Sequence, residues 1–292
     1  MKSILLTGAN GFTASYVSAL FRQQGYKIIP LTRTASTPDT IACDLTDCTA
    51  LKASLRGLDF QGVIHLAARS FVGHGDNSAF YAVNTVGTTN LLQVMDELGI
   101  SPEKIIVASS ANIYGNPTER VLTEESELRP ENHYAASKLA MEKLVRPWFD
   151  RFPILICRPF NYTGIGQRGS FLIPKLVAHF REHKRVIELG NLDIARDFSD
   201  VRDIATCYLK LYESERHSEI VNLCSGTATS LAEVVSMLNG LAGYDIETRV
   251  NPKFVRKHEI TMLRGSNKKL REIVGFAPQI PLQQTLKEML QA

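Results

Sequence analysis

Tyr134 and Lys138 stand four residues apart in the run Tyr134-Ala135-Ala136-Ser137-Lys138. On a helix, positions i and i+4 share a face, so the lysine ammonium can approach the phenol, favour phenolate and lower a pKa that starts near about 10. A tyrosine so placed can act as acid or base near neutral pH. An exposed helix pair would have the same spacing, so a second group is needed. Ser109-Ser110-Ala111-Asn112-Ile113-Tyr114-Gly115 follows the apolar run Ile105-Ile106-Val107 and sets the Ser110 hydroxyl at the carboxyl end of a strand. Ligands of open α/β sheets bind there.

A third group is Thr7-Gly8-Ala9-Asn10-Gly11-Phe12-Thr13-Ala14, between an apolar strand-like run and a helical pattern. Gly8 and Gly11 let backbone approach a pyrophosphate, the helix N-terminus offers unsatisfied N–H groups, and Ala14 permits close packing. The spacing GxxGxxA departs from the GxGxxG dehydrogenase fingerprint, and a plain glycine turn is the alternative. After the second strand the chain reads Leu31-Thr32-Arg33-Thr34. Arg33 stands where a carboxylate would hold the ribose of NAD and suits the 2′-phosphate of NADP, a solvated surface arginine being the alternative. Asp44-Leu45, after the third strand, is an adenine contact, or Asp44 caps the next helix.

These groups require a scaffold of alternating strands and helices, and the first half supplies it. Apolar runs at Ile4–Leu6, 27–32, 41–43, Val63–Leu66, Ile105–Val107 and Ile154–Cys157 alternate with helical patterns such as Val17, Leu20, Phe21 and Leu91, Val94, Met95, Leu98. Continuous rather than alternating apolar strands imply a parallel sheet covered on both faces. Pro30 inside the second run predicts a short or irregular strand there. After Arg158 the rhythm changes: residues 161–170 read as a long loop, and a smaller second region is expected, interleaved with the first.

Composition sets the class. With 292 residues, 44% hydrophobic and 22% charged, the chain can bury a full core, which excludes disordered, collagen-like and coiled-coil readings. The balance of 33 basic against 30 acidic residues is too even for a protein that tracks nucleic-acid phosphates. No apolar run approaches about 18 residues and none resembles a signal segment, so a cytoplasmic protein without a membrane partner is expected. The five cysteines form no CxxC pair, which indicates neither a disulfide framework nor a zinc site; they are expected to be reduced and mostly buried. No metal is expected: His179 and His183 lie four apart, but no Glu or Cys joins them at ligand spacing.

Together these motifs resemble those of the extended short-chain dehydrogenase/reductases that modify nucleotide sugars, over essentially the full length. The matching residues are Gly8 and Gly11, His65-Leu66-Ala67-Ala68, Asn84, Ser110, Tyr134 with Lys138, Arg158-Pro159-Phe160-Asn161, and Arg196 through Asp203. Within that family, residues 158–167, 196–203 and 256–265 most resemble GDP-4-keto-6-deoxy-mannose reductases and the related GDP-mannose 4,6-dehydratases. The resemblance implies a doubly wound parallel (Rossmann) sheet with a smaller α/β substrate domain, the nucleotide sugar lying between them. Expected boundaries are 1–161 with returns near 193–222 and 251–265, against 162–192, 223–250 and 266–292.

The resemblance also implies a Ser110–Tyr134–Lys138 triad and NADP(H), contacted by Gly8, Asn10, Gly11, Phe12, Thr13, Arg33, Asp44, Leu45, Leu66, Ala67, Ala68, Asn84, Tyr134 and Lys138. Arg196, Arg256 and Arg264 are candidates for the substrate diphosphate, because guanidinium groups bind phosphate oxygens bidentately. Resemblance assigns Arg196 and Arg256 to that role and Glu259 to the ribose, and places Asn112, Asn161 and Lys175 in the same cleft. Phe12, Phe71 and Phe160 are wall or core aromatics, and Trp148 is a packing residue. The expected reaction is NADPH-dependent reduction of a nucleotide-linked 4-keto-6-deoxyhexose in deoxysugar biosynthesis, by a homodimer. A 4-epimerase is the alternative, and a 4,6-dehydratase is disfavoured because Asn112 stands where dehydratases carry an acidic residue.

Overall fold

The computed structural model describes residues 1–35, 37–70, 76–116, 119–254 and 260–292. In chain order the elements are β1 (Ser3–Thr7), α1 (Phe12–Gln23), β2 (Lys27–Thr32), β3 (Ile41–Ala42), α2 (Cys48–Leu55), β4 (Gly62–His65), α3 (Ser78–Phe80), a π-helical turn (Tyr81–Val86) and α4 (Gly87–Glu97). There follow β5 (Lys104–Ala108), α5 (His133–Val145), β6 (Ile154–Pro159), β7 (Asn161–Thr163), α6 (Leu172–Arg181), β8 (Val186–Leu189), β9 (Ala195–Asp200) and α7 (Val201–Glu213). The chain ends with β10 (Glu219–Leu223), β11 (Ala228–Ser230), α8 (Leu231–Ala242), β12 (Glu247–Val250), β13 (Met262–Leu263), α9 (Lys268–Val274) and α10 (Leu282–Gln291).

One compact unit gathers residues 1–113, 130–158 and 205–221. Its sheet has the order β10-β6-β5-β4-β1-β2-β3, and the registers from β6 across to β3 are parallel. Every residue of β4 and β6 is buried, which is why their stretches Val63-Ile64 and Ile154–Cys157 read as apolar runs, and His65 and Arg158 are buried with them. The strand order reverses between β1 and β4, and at such a switch point the crevice at the carboxyl ends of the strands accepts ligands. The Gly8 loop leaves β1 and Leu66-Ala67 leaves β4 at this place. Leu5, Val63, Ile105 and Ile156 from the sheet pack with Leu91, Val94, Met95, Met141 and Val145 from α4 and α5.

The sequence expectation for Pro30 fails. β2 runs unbroken through it, with Leu6 opposite Pro30. β3 pairs with β2 only from Leu31 onward, so among the described residues one side of β2 has no partner strand at Pro30 and the missing N–H costs little.

The second unit holds residues 114–129, 159–204 and 222–292. This boundary differs from the expected one: 193–204 and 251–265 fall here because β9 and β13 pair with each other, and β9 also pairs with β7 and β11. Segment 114–129 joins them through the pairing of Leu122 with Gly265. A separate pair, β8 with β12, completes the strands, and Leu176, Val177, Leu189, Val234, Leu238 and Leu286 form the core. All five cysteines are free thiols and four are buried.

Candidate active site

Where α5 begins decides where Tyr134 and Lys138 point. Asn132 caps the helix, its side-chain oxygen accepting the Ala135 amide at 2.9 Å. Tyr134, Ser137, Lys138, Met141 and Glu142 are then all buried, so the pair faces inward and the exposed-pair alternative is ruled out. Lys138 Nζ donates to the Ala108 carbonyl at 2.7 Å, which ties α5 to the last residue of β5, two positions before Ser110. Burial draws the Lys138 ammonium down to about 8, and the Glu142 carboxylate partly offsets this. Ser110 is buried, and its Oγ accepts the Asn112 amide at 3.2 Å. The Tyr134 ring lies edge-on to Phe80, centroids 6.2 Å apart.

The loop after β1 fits a dinucleotide diphosphate on two grounds. Gly8 has φ +67°, and a Cβ there would lie 2.7 Å from the Ala67 Cα, so only glycine lets the two strand exits meet. Gly11 is the N-cap of α1 and makes no side-chain cap, nor does the first turn carry an acidic residue, which suits that helix end to an anion. Phe12 starts the helix and packs edge-on against Tyr16, Thr13 is half-buried, and the Asn10 amide reaches the Thr34 carbonyl at 3.5 Å.

Other predicted cofactor residues fall around this loop with mixed roles. Arg33 is exposed just beyond β2, and its charge helps hold the Asp44 carboxyl below the usual carboxylate range; hydrogen bonds from Thr46 are the larger cause. Asp44 does not cap α2, because Asp47 does. Leu45 is core-buried, and its carbonyl accepts from Asn90 at 2.9 Å. Leu66 and Ala67 are half-buried and Ala68 is exposed. Asn84 is wholly buried within the π-helical turn and grips Arg69, accepting its amide at 2.7 Å and donating to its carbonyl at 3.1 Å.

The described substrate candidates belong to the second unit except Asn112, which is half-buried in the first. Asn161 pairs with Phe198, and Leu263 with Arg196; because alternate residues share a face, Asn161 and Arg196 lie on one face of the small sheet. Arg264 does not join them, since Leu263 takes the position opposite Arg196, and the Arg264 Nε donates to the Gly226 carbonyl at 2.7 Å. Lys175 lies 4.5 Å over the Phe254 ring. Arg256, Glu259 and Phe71 lie outside the described residues.

Next to Arg196 sits a residue of the matching run to which the sequence assigned no role. Asp197 is buried and accepts from the Ser225 amide and hydroxyl, from Gly226 and from Gly265, locking β9 to the turns beside β11 and β13. Phe160 is buried beside Tyr114, and Trp148 stacks on Phe152, so both serve as packing. Glu142 and Arg158 form a buried ion pair at 2.7 Å. The i+8 spacing of Glu142 from Tyr134 was the available signal for it.

A family model described as GDP-mannose 4,6 dehydratase matches residues 5–289. GDP-6-deoxy-D-talose 4-dehydrogenase of Aggregatibacter actinomycetemcomitans is 33% identical, the match covering 93% of this chain and 91% of that one. GDP-6-deoxy-D-mannose reductase of Pseudomonas aeruginosa is 31% identical over 98% and 95%. Among solved structures, a Burkholderia cenocepacia protein provisionally described as an epimerase is 44% identical with TM-score 0.92, over 99% of this chain and 97% of its own. The Pseudomonas aeruginosa RMD structure, complexed with NADPH, is 29% identical with TM-score 0.87, over 100% and 98%.

Proposed function

The chain belongs to the GDP-mannose 4,6-dehydratase family, and from that premise we propose that it is an NADPH-dependent reductase of a GDP-linked 4-keto-6-deoxyhexose. The observation that carries this reading is the buried Tyr134–Lys138 face of α5, tied by Lys138 to the exit of β5 beside Ser110. Its relatives named as a reductase and a dehydrogenase of GDP-6-deoxyhexoses supply the substrate class.

When bound, the reduced nicotinamide supplies hydride to sugar C4. The protein's part is binding, orientation and the proton. Gly8 and the N-terminal end of α1 receive the diphosphate, and Arg33 receives the 2′-phosphate. Tyr134 holds its phenolic proton for the oxygen on sugar C4, the Ser110 hydroxyl donates to the same oxygen, and Lys138 orients the nicotinamide ribose. Arg196 and Asn161, with Lys175, Arg256 and Glu259, take the nucleotide diphosphate and ribose. The Asn112 amide can neither take the C5 proton nor protonate the departing C6 hydroxyl, which favours reduction over dehydration.

A 4-epimerase reading rests on the 44% identical Burkholderia cenocepacia protein. An epimerase must keep its cofactor through both half-reactions, whereas a reductase exchanges it each turnover. Incubation of purified protein with NADPH and GDP-4-keto-6-deoxy-mannose tests the reductase reading, and incubation with NAD⁺ and a nucleotide sugar that keeps its 4-hydroxyl, such as UDP-glucose, tests the epimerase reading. Stoichiometric NADPH oxidation supports the reductase; tightly retained cofactor with epimerisation and no net oxidation supports the alternative. We further propose a homodimer through α5 and the helical segment formed by the π-helical turn and α4, where Leu144 and Val86 are each 48% exposed. Sedimentation of Leu144→Glu should show a monomer.

A further inference from the structure

Five buried side chains run from the strand that carries the Gly8 loop to the helix that carries Tyr134. Thr7, His65, Asn84, Thr88 and Ser137 are each no more than 1% exposed, deep within one unit. His65 Nδ1 lies 2.8 Å from Thr7 Oγ1 and its Nε2 lies 2.8 Å from Thr88 Oγ1.

The proton positions follow from the partners. Thr88 Oγ1 donates to the Asn84 carbonyl at 2.7 Å, so it has no proton left for His65 and must accept from Nε2–H. Nδ1 is then the acceptor, and Thr7 donates to it while accepting the Ala67 amide at 3.2 Å. Beyond Asn84 the direction is equally fixed: its Nδ2 donates to Ser137 Oγ at 3.0 Å, and Ser137 donates to the Tyr134 carbonyl at 2.8 Å. Burial, with the charge of Lys138 adding to it, pushes the His65 imidazole down to about 3, in agreement with a neutral ring of one tautomer.

We propose that His65 is a positioning residue for hydride transfer: through Thr7 and Thr88 it fixes the Gly8–Ala67 junction, which bears the cofactor, against the π-helical turn and helix that bear Asn84 and Tyr134. This rests on the reductase reading only for the reaction that the alignment serves. The argument is one of closeness and direction. Gly8 has no slack against Ala67, so movement of the Ala67 backbone is movement of the glycine loop. Each hydroxyl in the relay both donates and accepts, so cutting one end leaves a buried group unpaired at the other. A π turn at Asn84 supports the same view, because such turns are frequent at functional sites.

Thr88→Val keeps the shape of the side chain and removes the acceptor for Nε2–H, at the end remote from the cofactor loop. In the cofactor-free protein the Ala67 amide should exchange its hydrogen about 10-fold faster than in wild type, the equivalent of losing roughly one buried hydrogen bond. NADPH should bind about 10-fold more weakly, by the same arithmetic. Thr88→Ser, which restores the hydroxyl, should return both to within twofold of wild type. If Thr88→Val does not fold, His65→Asn, which keeps a polar atom facing Thr7 and none reaching Thr88, carries the same expectations. The proposal is overturned if Ala67 exchange or NADPH affinity stays within twofold of wild type in the folded variant. Neither readout uses a sugar substrate, so a wild type that binds NADPH but reduces no keto-sugar defeats the reductase reading and leaves the relay standing.

Discussion

Arg158 holds Glu142 by two buried hydrogen bonds, Nε to Oε1 at 2.9 Å and Nη2 to Oε2 at 2.7 Å, one helical turn beyond Lys138. Both side chains are at most 2% exposed. Removing one partner strands the other charge in the interior, so Glu142→Ala should cost about 3–5 kcal/mol in urea unfolding. Replacing both residues with methionine should recover most of that loss, since no bare charge is left. A single-variant loss below about 1 kcal/mol would show that water reaches the guanidinium.

Lys138 gives the cofactor-free protein a pH-dependent stability of definite sign. Its pKa is about 8 when folded and 10.5 when exposed, so between those values the unfolded chain binds more protons and stability rises with pH. The contribution is complete above 10.5 and is lost as pH falls through about 8. A difference of that size amounts to roughly 3 kcal/mol. Urea unfolding at the two ends of the window should show the rise in wild type and a much smaller one in Lys138→Met. Equal rises in both proteins would assign the effect to other groups.

Much of this was legible in the sequence, for reasons visible in particular residues. β4 and β6 are buried at every position, so their stretches Val63-Ile64 and Ile154–Cys157 appear as plain apolar runs, and Gly8 is required both by its φ and by Ala67. Pairings of strands distant in sequence were not legible: no local pattern sets β7 beside β9, and with it the second unit's boundary. Nor could spacing show that Arg264 turns to Gly226, or that Asp197, between Arg196 and Phe198, is the buried knot of that region. Ser137, inside the Tyr-to-Lys motif, reads as a helix filler until its Asn84 bond is seen.

Tyr134→Phe removes the phenolic proton and leaves the ring beside Phe80. Turnover should drop by about 10²-fold or more, with nucleotide-sugar affinity little changed. Steady-state kinetics with the 4-keto sugar decide this, and near-normal turnover would remove Tyr134 from the chemistry.

Arg33 is exposed at the end of β2 and should govern cofactor choice. Arg33→Ala should weaken NADPH by about 10-fold or more while NADH changes little, because only NADPH offers the extra phosphate for a charge-assisted contact. A wild type that prefers NADH, or an equal effect on both cofactors, would refute the 2′-phosphate role.

Asn112 separates reduction from dehydration. Loss of water across sugar C5 and C6 needs a base for the C5 proton and an acid for the departing hydroxyl. Dehydratases that this chain resembles carry an acidic residue two positions after the triad serine, and here Asn112 stands there, its backbone amide donating to Ser110 Oγ at 3.2 Å. An amide side chain cannot take up a proton near neutral pH, and Ala111 beside it has nothing to titrate. Of the two carboxylates in the following loop, Glu124 is already engaged, accepting the Asn222 amide at 2.7 Å. Purified protein given GDP-mannose or dTDP-glucose with catalytic NADP⁺ should therefore form no 4-keto-6-deoxy product, yet should reduce the ready-made 4-keto sugar. Asn112→Asp or Asn112→Glu alone should leave that outcome unchanged if both an acid and a base are required, because each supplies a single carboxyl group. Accumulation of a 4-keto-6-deoxy species in wild type would show that another carboxylate performs the elimination and would end the reductase-only reading.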